Sequence, residues 1–125
     1  MIEKLESQHL FSRDDLSERM RLIPAVSFLD MIKLESGASL IVTDSGGVQK
    51  EAWFMEKPVV VLREETEWVE IIQAGNGRLA GTSEEKIREA ATRFLQSPPT
   101  SFPPIFGNGN AAGEILKVLT TSRWE

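Results

Sequence analysis

Cysteine is absent from the 125 residues, which excludes disulfide scaffolds, zinc ribbons and thiol chemistry. Histidine occurs once, as His9, in a polar stretch with no partner signature; it reads as a surface residue, and no metal-ligand spacing exists in the chain. Apolar runs stop at about four or five residues, far short of the ~20 that a membrane-spanning helix needs. No run of Lys or Arg forms a basic patch, and 19 acidic against 14 basic side chains leave a net charge of -5. A footprint for the phosphate backbone of nucleic acid is therefore not expected. The start, Met1-Ile2-Glu3-Lys4, lacks the basic-then-apolar pattern of a secretory signal. What remains is an ordinary globular composition, 41% hydrophobic and 26% charged, of a length that suits one domain. A single soluble domain of the cytoplasm, residues 1–125, is the expectation.

The pattern along the chain alternates strands with helices. Residues 2–9 read as a short helix, and Arg21-Leu22-Ile23 as a short strand stopped by Pro24, which donates no ladder hydrogen bond. Phe28, Leu29, Met31 and Ile32 form the apolar stripe of a helix that Gly37 ends. Residues 38–43 are β-rich with little alternation, as in a strand covered on both faces. After the Asp44-Ser45-Gly46-Gly47 turn, Val48, Ala52 and Met55 share one helical face. Residues 58–62 and 78–81 read as further core strands, with a helix from Glu67 to about Ala74 between them. Thr82 and Glu85 have capping-box spacing before a helix that buries Ile87, Ala90, Ala91, Phe94 and Leu95. Ser97-Pro98-Pro99 stops it, and a final helix carries Ile115, Leu116, Val118 and Leu119. Such alternation of helices with apolar strands predicts an α/β fold built on a Rossmann-like parallel sheet. Ligands of such sheets bind beyond the carboxyl ends of the strands, so residues 43–47 and 63–67 are the loops of interest.

The 43–47 turn joins a strand end to a helix N-terminus, where free N–H groups and the helix dipole attract anions. Gly46 and Gly47 leave the backbone amides accessible, and Ser45 adds a hydroxyl. Glu51, one turn along from Gly47, is badly placed for phosphate and well placed for the two hydroxyls of a ribose. Together these residues point to a nucleoside diphosphate. A tight βα turn capped by Asp44 or Ser45 accounts for the same pattern. In Arg63-Glu64-Glu65-Thr66-Glu67-Trp68-Val69-Glu70, a solvated acidic first helical turn explains the composition better than a crevice face does. Only Arg63 there suits direct contact with phosphate. Trp53, Phe54 and Trp68 read as core or interface residues. No Gly-x-Ser-x-Gly nucleophile elbow is present.

Thr43-Asp44-Ser45-Gly46-Gly47-Val48-Gln49-Lys50-Glu51-Ala52 resembles the Asp-Ser-Gly-Gly-x-Gln-x-Glu-Ala signature of the non-hydrolysing UDP-N-acetylglucosamine 2-epimerase family. Lys57 to Arg63 resembles that family's next strand, and Glu65-Thr66-Glu67 its Thr-Glu segment. Phe106-Gly107-Asn108-Gly109-Asn110-Ala111-Ala112 is loosely similar to the element before its last helix. The likeness spans about residues 20–120 in family order. It implies a glycosyltransferase-B-like architecture of two Rossmann-like halves, of which this chain resembles part of the C-terminal one. The implied reaction eliminates UDP from the sugar and re-adds it with C2 inverted, converting UDP-GlcNAc to UDP-ManNAc without metal or redox cofactor. By position, Ser45, Gly46 and Gly47 would hold the diphosphate and Glu51 the ribose. Val26 to Met31 would line the uracil pocket, and Arg63 is a further candidate UDP contact.

The chain departs from the family in having Trp68-Val69 where many members have Arg-Pro, which removes a cation. The Glu-Trp-Val-Glu form resembles a subgroup that includes enzymes of UDP-diacetamido-glucuronate. The N-terminal half with its acidic catalytic residues has no counterpart here, so the expectation for this chain is UDP binding without a catalytic residue. Two alternatives are the nucleotide half of a glycosyltransferase and a non-catalytic nucleotide-binding or interaction fragment. If residues 21–23 and 40–42 are strands three and four of a Rossmann order 3-2-1-4-5-6, strand four lacks its neighbour. Either residues 21–23 move beside it or, as the favoured expectation, two chains pair there as a homodimer.

Overall fold

The computed structural model describes residues 20–121. Two compact units divide the chain, Met1–Met31 and Ile32–Glu125, the division falling within the first described helix. The predicted helix at 2–9 and His9 lie outside the described residues. In the first unit, residues 20–27 are irregular and largely exposed. Arg21-Leu22-Ile23 is therefore not a strand, a correction to the sequence reading. Three apolar-leaning residues ahead of a proline have no second strand to complete their ladder, and Leu22 and Ile23 stay exposed.

Helix α1 spans Phe28–Gly37. Its predicted apolar stripe is not buried: Phe28 is 67% and Leu29 77% exposed, while Glu35 is the helix's one buried residue. Gly37 ends the helix without a positive φ.

The second unit is a three-stranded parallel sheet in the order β1-β2-β3. Strand β1 is Ile41–Thr43, β2 is Val59–Val61 and β3 is Gly77–Leu79. Ile41 pairs with Val59, and Val59 with Gly77. Helix α2 (Gly46–Phe54) joins β1 to β2, and α3 (Val69–Gln73) joins β2 to β3. Helices α4 (Glu84–Gln96) and α5 (Ala111–Thr121) follow.

Only β2 meets the expectation of a strand covered on both faces. Val59, Val60 and Val61 are fully buried, and period-2 alternation splits them between two cores. Val59 and Val61 join Ile41, Ala52, Trp53 and Ile71 on one side; Val60 joins Ala80, Ala90 and Phe94 on the other. β1 is an edge strand, and its Val42 stays 46% exposed, which corrects the expectation of a doubly covered strand there.

Helix α3 is shorter than predicted, because Glu67 and Trp68 belong to the loop before it. The α4 cap also shifts by one residue. Ser83, not Thr82, is the N-cap and accepts the Lys86 N–H at 3.4 Å. With Lys86 at the third helical position no carboxylate reaches back, so the capping box does not close. Along α4, Ala90 and Phe94 are buried but Leu95 is exposed, and no residue of α5 is buried. The proline-rich loop folds over the first core, where Phe102 and Phe106 stack edge-on against Trp53 at 5.4 and 6.0 Å.

Candidate functional site

Two loops leave the carboxyl ends of β1 and β2 side by side, where ligands of parallel sheets bind. In the first, the Thr43 hydroxyl accepts the Ser45 N–H at 3.1 Å. Ser45 is extended and caps α2 by accepting the Val48 N–H at 3.4 Å. Ser45, Gly46 and Gly47 thus stand together at the N-terminus of a nine-residue helix. A Cβ added at Gly47 would meet nothing nearer than Ser45 Oγ at 3.7 Å, so the face beside these amides is open.

The second loop crosses the same helix end. Trp68 Nε1 donates to the Gly46 carbonyl at 2.7 Å. Thr66 Oγ1 donates to Gln49 Oε1 at 2.6 Å and accepts the Trp68 N–H at 3.1 Å. A Cβ at Gly46 would come within 3.2 Å of Glu67 Oε2, so glycine is what lets this loop approach. Arg63 Nη1 grips both oxygens of Glu67 at 2.9 and 3.1 Å. The Glu67 carboxyl is held below its ordinary range, first by its own backbone N–H and then by Arg63. Residues 63–68 are therefore not a solvated first turn of helix, as composition favoured; they are a strap across the α2 N-terminus. The Lys50 ammonium lies 4.6 Å from the Trp68 ring centroid and 4.8 Å from that of Phe106. A cation is thus present against the strap although Trp68-Val69 supplies none.

Glu51 lies on α2, half-buried, with Glu35 of α1 as its carboxyl neighbour. Burial and the Glu51 charge raise the Glu35 pKa. Val26 is exposed ahead of α1, and Met31 is half-buried in its first turn. Three contributors escaped sequence reasoning: Trp68, Lys50 and Glu35. The aromatic and the cation had no local signal of their partners, and Glu35 looked like one more polar residue of an exposed helix. A groove lined by Glu85, Arg88, Glu89 and Thr92 is surface along α4 and holds none of these groups. Among the described residues no group of three or more potential ligands forms a metal site, and no helix is long and apolar enough to cross a membrane.

Residues 4–120 match the profile of the UDP-N-acetylglucosamine 2-epimerase family. A UDP-N-acetylglucosamine 2-epimerase homolog of Methanococcus maripaludis is 44% identical over 115 residues, 92% of this chain and 32% of that protein. The UDP-2,3-diacetamido-2,3-dideoxy-D-glucuronate 2-epimerase of Pseudomonas aeruginosa is 37% identical over 110 residues, 88% of this chain and 31% of that one. The crystal structure of Methanocaldococcus jannaschii UDP-GlcNAc 2-epimerase in complex with UDP-GlcNAc and UDP superposes with a TM-score of 0.82 at 33% identity. It covers 97% of this chain and 33% of that structure. The chain thus spans about a third of the length of the curated relatives it matches. It shares their α/β, glycosyltransferase-B-like fold, and it belongs to the UDP-N-acetylglucosamine 2-epimerase family.

Proposed function

We propose that this chain is the C-terminal, UDP-binding portion of an epimerase that inverts C2 of UDP-GlcNAc by eliminating and re-adding UDP in the cytoplasm. The observation that carries the reading is the α2 N-terminus, which the strap crosses beside Gly46 and which is open on its Gly47 side. Ser45, Gly46 and Gly47 offer a hydroxyl, backbone amides with open space beside Gly47, and the positive end of a helix dipole to a diphosphate. Glu51, one turn further on, accepts from the ribose hydroxyls. Val26 and Met31 are assigned to the uracil, and Arg63 to the outer phosphate once it exchanges Glu67 for the ligand. No metal or redox cofactor enters the reading.

Proton transfer at C2 needs a titratable group within hydrogen-bond reach of the carbon-bound proton. Glu51 is committed to the ribose here, so the chain by itself binds nucleotide weakly and turns nothing over. Two chains pair along β1, whose edge position and half-exposed Val42 leave a strand able to accept another.

A second substrate has a specific observation in its favour. The Pseudomonas aeruginosa relative is named for UDP-2,3-diacetamido-2,3-dideoxy-D-glucuronate, whose carboxylate the Lys50 ammonium is suited to meet.

The test is a heteronuclear NMR titration with UDP. Shifts should cluster at residues 44–51 and vanish in Gly47→Val, whose Cβ makes only an ordinary contact, with Ser45 Oγ at 3.7 Å. Incubation with UDP-GlcNAc should release neither the manno epimer nor UDP. Shifts elsewhere, or ones that survive the substitution, overturn the site; turnover lost on Ser45→Ala overturns the assignment of binding without catalysis.

A further inference from the structure

Glu35 is the one buried ionisable side chain among the described residues, 3% exposed, and no N–H or hydroxyl donor reaches either of its carboxyl oxygens. Its position is hard to explain as packing. A buried carboxylate without a partner is among the costliest groups a fold can hold, and an apolar residue would fill the same space at no such cost. The charged group that faces it is Glu51, across the contact between α1 and α2. Two carboxyl groups at such a contact cannot both ionise cheaply. Burial and the facing Glu51 carboxylate both favour keeping the proton on Glu35, the more deeply buried of the two.

We propose that Glu35 is a positioning residue for the nucleotide site: its neutral carboxyl group donates a hydrogen bond to the Glu51 carboxylate and fixes the rotamer in which Glu51 accepts from the ligand's vicinal hydroxyls. This rests on the reading of Glu51 as the ribose contact. A lysine or arginine at position 35 would also orient Glu51, but would draw off its charge and compete with the hydroxyls. A neutral acid orients the acceptor and leaves its charge intact. Desolvation and the neighbouring charge act in the direction this role requires, since both keep the proton on Glu35.

Two measurements on the chain as it exists decide it. In a carboxyl carbon-13 titration, the Glu35 signal should titrate above the ordinary glutamate range and return towards it in Glu51→Gln. In UDP titrations at neutral pH, Glu35→Leu should weaken binding by about tenfold, the scale of one hydrogen bond to a charged group. Glu35→Gln, whose amide also donates, should restore most of the loss. An ordinary Glu35 titration, or a leucine variant that binds as well as the glutamine variant, overturns the positioning role while leaving the nucleotide site standing. Failure of the wild-type chain to bind UDP overturns the nucleotide site. The carboxyl titration needs no ligand, so a Glu35–Glu51 pair that behaves as described would then localise the failure to the nucleotide reading.

Discussion

Gln49 is 1% exposed, and Thr66 is the side chain that satisfies its amide oxygen. The same hydroxyl accepts the Trp68 N–H, so one oxygen holds the strap at two points. Thr66→Val keeps the shape and deletes both bonds, leaving a buried acceptor unpaired. That should cost about 2 kcal/mol in urea unfolding, and the Trp68 indole N–H signal should shift as the strap loosens. A second residue-scale expectation concerns pH. The folded chain holds the Glu35 proton to higher pH than the unfolded chain does. Below the ordinary value of 4.5 both states carry it, and burial is tolerated. As pH rises, the unfolded state releases its proton first, so the wild type loses stability towards neutral pH. Glu35→Gln carries no such penalty, and its advantage in urea midpoint should grow from pH 4 to pH 7. A difference that does not change with pH would contradict the assignment.

At the scale of elements, α4 shows how a helix start is chosen between two plausible caps. Thr82 and Ser83 are adjacent hydroxyl residues; Thr82 has Glu85 three positions on, whereas Ser83 has Lys86 there. The chain selects Ser83 because Gly81, at φ 56°, turns it into the helix one residue later than the Thr82 reading requires. Ser83→Ala should therefore destabilise by about 1 kcal/mol, with fraying of the first α4 turn visible in amide exchange. Thr82→Ala should cost little, and the reverse ranking would restore Thr82 as the cap. The β2 strand makes the complementary point. Three consecutive β-branched residues with no polar alternation announced a strand buried on both faces, and each valine is fully buried.

At the scale of the molecule, apolar surface is distributed unevenly. Val42 on the edge strand and Ile115, Leu116, Val118 and Leu119 on α5 are all exposed, while the central strand is sealed. Each Å² of apolar surface left in water forgoes about 25 cal/mol, and an edge strand also presents unpaired backbone groups. Sedimentation equilibrium over a concentration series should show a monomer–dimer equilibrium. Arg78→Glu, which acts on β3 at the other side of the sheet, should leave it unchanged, whereas Val42→Lys on β1 should shift it towards monomer. A strict monomer at every concentration would remove the dimer from the reading.

The amino-acid sequence by itself determined the alternation of strand and helix, the parallel sheet, the buried character of β2 and the glycine turn that opens α2. Each is written in a short window: a period, a β-branched run, or a pair of residues without side chains. Tertiary structure alone decided that β1 lies at an edge and β2 at the centre, since residues 38–43 and 58–62 look alike until their neighbours are known. It also decided that residues 63–68 strap the helix end. The bonds that make the strap join residues 17 and 22 positions apart, from Thr66 to Gln49 and from Trp68 to Gly46. Glu35 belongs with them. Its helix displays apolar residues to solvent and buries an acid, an inversion of the usual pattern, with Glu51 of the next helix facing that acid. Local sequence records what a segment prefers, and only the return of the chain sets which charge or ring that segment meets.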